Sequence, residues 1–137
     1  HQLKKVNHFL ELRKKYACLY DLAFSKVPEI ETLETRDYAE PAHHLYIISL
    51  QLEQLTVSRD EFLDAIQSKG IGVAVHYKGL HLQPYYRKEY AIAQEKFTVA
   101  TRYSERVISL PLYPRMSVGD IERVIGVVTD LIDRYRR

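Results

Sequence analysis

A chain of 137 residues, 46% hydrophobic and 28% charged, has room for one folded domain with a core of its own. A net charge of only +2 argues against electrostatic capture of nucleic acid or of an anionic membrane, and no apolar run reaches the roughly 20 residues that a membrane span needs. The single cysteine, Cys18, excludes an internal disulfide and fits a reducing compartment; with no secretory leader visible, a cytoplasmic protein is expected.

Leu3, Val6, Leu10, Ala17, Tyr20, Phe24 and Val27 recur at spacings of three and four, with Arg13 in the one gap. This predicts a helix through Val27, ended by Pro28, which lacks an amide donor and disfavours helix before it. About 25 residues make a rod of roughly 38 Å. That is long for so small a domain and suggests a strut from a preceding unit. A coiled-coil seam is the weaker rival, because three or so heptads are few. The chain enters this pattern directly from His1, so we expect a piece of something longer. Cys18, amid the helical pattern, is expected to be a buried, inert thiol.

Residues 30–36 are short and ambiguous, compatible with a strand. Glu40-Pro41-Ala42 is a break. From His44 to Leu52, Tyr46, Ile48, Leu50 and Leu52 alternate with Leu45, Ile47, Ser49 and Gln51. Both faces start apolar, which predicts a central strand covered on each side. Ser58-Arg59-Asp60-Glu61 is a capping box opening a helix that buries Phe62, Leu63 and Ile66 and ends at Gly70, a left-handed cap. A short strand is expected over Ile71–Val75. Residues 76–96 are expected to be irregular, followed by an amphipathic helix over Phe97–Arg106. Val107–Leu110 reads as a strand stopped by Pro111 and Pro114. Ser117 and Asp120 cap a last helix with Ile121, Val124, Ile125, Val128, Leu131, Ile132 and Tyr135 on one face. Arg134, Arg136 and Arg137 are expected as a solvated helix end that complements the macrodipole. The two-strand run predicts an antiparallel pair, hence an α+β fold in one unit.

The segment His76-Tyr77-Lys78-Gly79-Leu80-His81-Leu82-Gln83-Pro84-Tyr85-Tyr86-Arg87 concentrates polar aromatics on a loop. Tyrosine and histidine each offer a flat apolar face and a hydrogen-bonding tip, which suits a sugar ring or its phosphates. With 11 tyrosines in the chain, a packing cluster is the plain alternative. Other chemistries are poorly supported. His76 and His81, with His43 and His44 elsewhere, lack metal-site spacing and cysteine or acidic company, so no metal is expected. No Gly-x-Ser-x-Gly elbow and no phosphate loop is present. Lys78, flanked by glycine, reads as exposed rather than as a Schiff-base lysine.

The ordered set of motifs resembles the DegT/DnrJ/StrS-type sugar aminotransferases over nearly the whole chain. The run from Arg59 through Lys69-Gly70-Ile71-Gly72-Val73-Ala74-Val75-His76-Tyr77, then His81-Leu82-Gln83-Pro84-Tyr85-Tyr86, carries it. His44-Leu45-Tyr46-Ile47-Ile48 and Ser104-Glu105-Arg106-Val107-Ile108-Ser109-Leu110-Pro111-Leu112-Tyr113-Pro114 extend it. The resemblance implies a fold type I enzyme, like aspartate aminotransferase, that uses pyridoxal phosphate. Such enzymes move an amino group, usually from glutamate, onto a nucleotide-linked ketosugar for surface polysaccharide or related sugars. Members are usually homodimers. It also implies that residues 1–137 match the small C-terminal domain, with residues 1–27 as its connector helix and a short, mainly antiparallel sheet packed by helices. The large domain with the cofactor lysine would lie outside it. The expectation is therefore no catalytic and no cofactor-binding residue here, no pyridoxal phosphate held by this piece alone, and an inactive fragment. His76, Tyr77 and His81 correspond to family residues on the sugar-nucleotide side of the cleft. Tyr85 and Tyr86 match family aromatics for which packing is as good an account. Lys78-Gly79 departs from the small or apolar pair of many members, and Arg115 replaces a frequent glycine. A non-catalytic binding or regulatory module reusing the fold is the alternative function.

Overall fold

The computed structural model describes residues 1–90 and 94–137. A 3-10 turn at Leu3–Lys5 leads into α1 (Val6–Phe24), then β1 (Ile30–Thr32), β2 (Tyr46–Leu50), α2 (Arg59–Ser68) and β3 (Ala74–Val75). After them come α3 (Pro84–Tyr90), α4 (Thr98–Ser104), β4 (Val107–Leu110) and α5 (Val118–Tyr135). The strands form one sheet in the order β1-β2-β4-β3, with antiparallel pairing throughout. The expected α+β class and the antiparallel β1–β2 pair are both present, and β2 is central.

Register divides the sheet into two unlike faces. Opposed residues of an antiparallel pair share a face, and faces alternate along each strand. Tyr46 stands opposite Leu110, and Ile48 opposite Ile108. These side chains, with Leu50, are almost fully buried against α1, α2 and α5. Tyr20 and Phe24 of α1 lie against the Tyr46 ring, with centroids 4.6 and 6.4 Å away. Phe62 and Ile66 of α2 and Ile121, Val128 and Ile132 of α5 complete this core, each fully buried. The stripes that build it are those expected from periodicity.

The second face carries Ile47, Ser49, Val107, Ser109 and Ala74. Ser49 and Val107 are buried, whereas Ile47 and Ser109 are only partly so. The cover expected on both sides of β2 is therefore complete on one face only.

Both caps form as expected. Ser58 and Ser117 each accept from the backbone amide three residues on, and Glu61 and Asp120 reach back. The two carboxyls are held below their ordinary range by the hydrogen bonds from Ser58 and Ser117. Gly70 takes φ +75°, the left-handed cap conformation.

Several expectations are corrected. The first helix ends at Phe24, not Val27: the Val27 amide turns back onto the Phe24 carbonyl, tucking Val27 into the core ahead of Pro28. Only the C-terminal half of its stripe is buried; Leu3 is 86% and Val6 50% exposed. Cys18 is exposed, because Tyr16, Ala17, Tyr20 and Phe24 define the inward face and position 18 points off it. The strand expected from Ile71 shrinks to Ala74–Val75, because the Val73 carbonyl is taken by the Gln67 side chain at 3.0 Å. Within the supposedly irregular 76–96, Leu80–Leu82 forms a 3-10 turn and Pro84–Tyr90 a helix. Proline is well suited to the first helical position, where its missing amide would be unpaired anyway. Residues 91–93 of that segment lie outside the described residues. The helix expected from Phe97 is α4, preceded by a 3-10 turn; Val99 and Tyr103 are exposed, so it buries little.

The terminal arginines are not simply solvated. Arg136 grips the buried carboxylate of Glu29. Arg137 donates from Nε to the Leu55 carbonyl at 2.7 Å.

Candidate functional site

The uncovered end of the second sheet face is concave. Two adjoining hollows of about 310 and 300 Å³ share Leu33, Ile47 and His76. The first continues over Tyr77, Tyr103 and Val107. The second runs past Asp21, Thr35, His43, His44 and Tyr46. His76 is the partition between them.

β3 places His76. Ala74 pairs with Ser109, so two residues on, His76 returns to the same face. Its Nδ1 lies 3.0 Å from the Ser109 hydroxyl. That hydrogen bond fixes the ring and leaves Nε2 for a ligand. Tyr77 meets the His76 ring edge-on at 4.7 Å and is 74% exposed. A histidine beside a serine hydroxyl could suggest acyl transfer. However, Ser109 lines neither hollow, and among the described residues no carboxylate hydrogen-bonds His76. The contact orients the imidazole rather than activating the serine.

His81 lies elsewhere. It is 6% exposed, behind the turn rather than along the hollow. Its Nε2 is 2.8 Å from the Thr101 hydroxyl, and its ring stacks on Phe97 at 5.1 Å. The structure thus brings His76 and Tyr77 together and sets His81 beneath them. Lys78 is exposed at the rim. Tyr85 and Tyr86 sit edge to face on α3, away from both hollows.

Sequence reasoning missed the far wall. Tyr46 donates to Asp21 Oδ1 at 2.6 Å. Burial first, and then this bond, push its phenol well above the ordinary 10.0. His43 adopts a positive φ of 44°. Burial pushes it below the ordinary 6.5, while Asp21 pulls the other way and Lys14 adds to the fall. The outward alternation of Ile47 was the available signal for this wall; the Asp21–Tyr46 contact had none.

The arrangement has aliphatic floors, aromatic edges and a few hydrogen-bonding tips. It can hold a ring with one apolar side and polar substituents. It pairs no nucleophile with a general base. No group of three or more His, Cys, Asp or Glu side chains among the described residues is arranged to hold a metal. Lysines are exposed apart from Lys14, which is partly buried and tied to Glu40. The residues present therefore do not form a pyridoxal phosphate site, which needs a lysine held against the cofactor.

A model of the DegT/DnrJ/EryC1/StrS aminotransferase family matches residues 1–129. The chain is 35% identical over 133 residues to the spore coat polysaccharide biosynthesis protein SpsC of Bacillus subtilis, covering 96% of this chain and 34% of that one. It is 29% identical over 136 residues to the UDP-4-amino-4,6-dideoxy-N-acetyl-beta-L-altrosamine transaminase of Campylobacter jejuni, covering 99% and 35%. Its fold superposes on the PLP form of Spr1654 from Streptococcus pneumoniae with a TM-score of 0.85 at 26% identity, covering 97% of this chain and 33% of that one. The chain thus spans about a third of the length of the curated relatives it matches. With its α+β architecture, antiparallel sheet and motif order in agreement, the chain belongs to the DegT/DnrJ/EryC1/StrS aminotransferase family.

Proposed function

We propose that residues 1–137 are the small C-terminal domain of a pyridoxal phosphate-dependent aminotransferase acting on a nucleotide-linked ketosugar. In this reading glutamate is the amino donor, and the product serves surface polysaccharide or related sugar biosynthesis. The single observation that carries it is the hollow partitioned by His76 on the uncovered sheet face of a chain in this family. The similarity to a UDP-aminosugar transaminase supports the substrate class.

The cofactor, when bound, supplies the electron sink for moving the amino group. Its lysine belongs to the remaining two thirds of the protein, so this chain alone is inactive and holds no cofactor. Residues here bind and orient. His76 presents Nε2 to the sugar, and Tyr77 lays its ring over the hollow's edge. His81 belongs to the same element and backs it. Leu33, Ile47 and Val107 exclude water from the apolar side of the sugar. The exposed start of α1, with Leu3 and Val6, is the connector to the large domain. The full protein works as a cytoplasmic homodimer. No helix of the described residues is long and apolar enough to cross a membrane.

The test is turnover by the full-length protein. With pyridoxal phosphate, glutamate and a panel of nucleotide-linked ketosugars, it should release 2-oxoglutarate only when a ketosugar is present. Release with simple keto acids but with no nucleotide sugar would overturn the substrate class.

A further inference from the structure

We propose that His81 is a positioning residue: it acts as a pedestal fixing the 77–80 turn, and holds Tyr77 and Lys78 at the rim without touching the ligand. This rests on the hollow beside His76 being the sugar-nucleotide site. Three observations converge on it.

First, His81 is buried and its Nε2 is already engaged by Thr101 at 2.8 Å, so that nitrogen is not open to a ligand in the hollow. Second, the ring lies flat on Phe97, which sets its plane. Third, the backbone of the turn rests directly on that plane. A Cβ at Gly79 would fall 2.7 Å from His81 Cε1 and 3.0 Å from Nδ1, closer than packed atoms allow. Gly79 has no positive φ to explain it (φ −51°), so it is close approach to the imidazole that calls for glycine here.

The turn is also held from the side. The Gly79 amide donates to Ser104 Oγ at 2.9 Å, and Ser104 is buried. Arg59 ties that region down by donating to the carbonyls of Ser104 and Val107 at 3.2 and 3.1 Å. The exposed Tyr77 and Lys78 therefore project from a turn whose underside is fully engaged. Fixing a rim residue before the ligand arrives lowers the ordering cost of binding.

The test uses Gly79→Ala, Thr101→Val and His81→Ala in the full-length enzyme, with two readouts. One is the KM for the nucleotide sugar against that for glutamate. The other is hydrogen–deuterium exchange of the peptide spanning residues 77–82. Each variant should raise the nucleotide-sugar KM about tenfold, the size of one lost hydrogen bond or its equivalent. The glutamate KM and the thermal midpoint should stay near wild type, and the turn should exchange faster. Gly79→Ala with His81→Ala should be no worse than either alone, because the added methyl meets only that ring. His81→Phe with Thr101→Val, which keeps the flat ring and removes both polar partners, should rescue most of the Thr101→Val loss. A KM effect confined to His81→Ala, with wild-type exchange in the other two, would mean that His81 meets the substrate itself and would overturn the proposal. Equal loss of both KM values together with a fall in melting temperature would reduce His81 to a folding residue and overturn it too. If the wild type turns over no nucleotide sugar, the assignment of the hollow falls. Exchange still decides the pedestal in that case: unchanged exchange in all three variants overturns it, and faster exchange upholds it.

Discussion

The guanidinium of Arg136 grips the carboxylate of Glu29 across 107 residues of chain, one nitrogen donating to each oxygen, the longer bond at 3.1 Å. Glu29 is 2% exposed and Arg136 half-exposed, so a buried anion is neutralised by a cation reaching in from the rim. The same stretch of terminus pairs Arg136 with Leu55 and sends the Thr56 amide to the Tyr135 carbonyl at 2.8 Å. The end of α5 is thereby stitched to the turn after β2.

Removing Arg136 leaves a buried carboxylate without its partner, which costs far more than losing a surface pair. Arg136→Ala should lower the melting temperature by roughly 5 °C or more. The hydrogen bond from Arg136 holds Glu29 below the ordinary 4.5, against the opposing effect of burial. A depressed native pKa adds stability above about pH 4.5 that is lost as pH falls through the native value. Urea midpoints between pH 6 and pH 3 should therefore fall less steeply in Glu29→Gln than in wild type. Parallel curves would mean that the pair is not linked to folding.

Two glycines should respond oppositely to alanine. Gly70 holds φ +75°, where a Cβ is strained whatever the space around it. Gly70→Ala should cost about 1 kcal/mol. Gly126 lies inside α5 with nothing within 4 Å of an added Cβ. Gly126→Ala should stabilise by about 0.5–1 kcal/mol through helix propensity and unfolded-state entropy. Chemical denaturation of both variants is the check.

His76→Ala should act on the sugar rather than on the cofactor. Losing one hydrogen bond to the bound substrate corresponds to roughly 5- to 100-fold in kcat/KM. Cofactor affinity, measured by fluorescence titration of the full-length protein, should change less than twofold (an estimate on the order of the ordinary scatter for a distant site). Equal losses in both would place His76 at the cofactor instead. Ser109→Ala should give a smaller loss of the same kind, because it frees the ring without removing it.

Titrating the 137-residue chain with pyridoxal phosphate should yield no saturable, one-to-one visible band. A stoichiometric chromophore mapped to one lysine would show that the chain carries the cofactor lysine after all.

Local order was legible before any coordinates. The capping boxes at Ser58 and Ser117, the left-handed Gly70, and the buried stripes of α2 and α5 involve contacts within a few residues, and spacing alone encodes them. The alternation in β2 also told which residues share a face, though not what would cover each. His76 and Tyr77 stood out because polar aromatics crowd one short stretch.

What escaped the sequence depends on partners distant along the chain. His76 and Ser109 meet only because β3 pairs with β4 in one register; a slip of one residue would send the imidazole to the other side. Nothing near His81 in sequence announces Thr101, so a histidine expected at the cleft is found beneath a glycine. Cys18 is exposed and Arg136 engaged for the same reason: exposure and pairing follow from how helices dock, and periodicity says only which face turns inward. Residue spacing by itself determined the helices, the strand alternation and the aromatic loop. Tertiary structure alone decided which side chains face the hollow and which support it from below, because packing and register join residues whose separation in the chain carries no pattern.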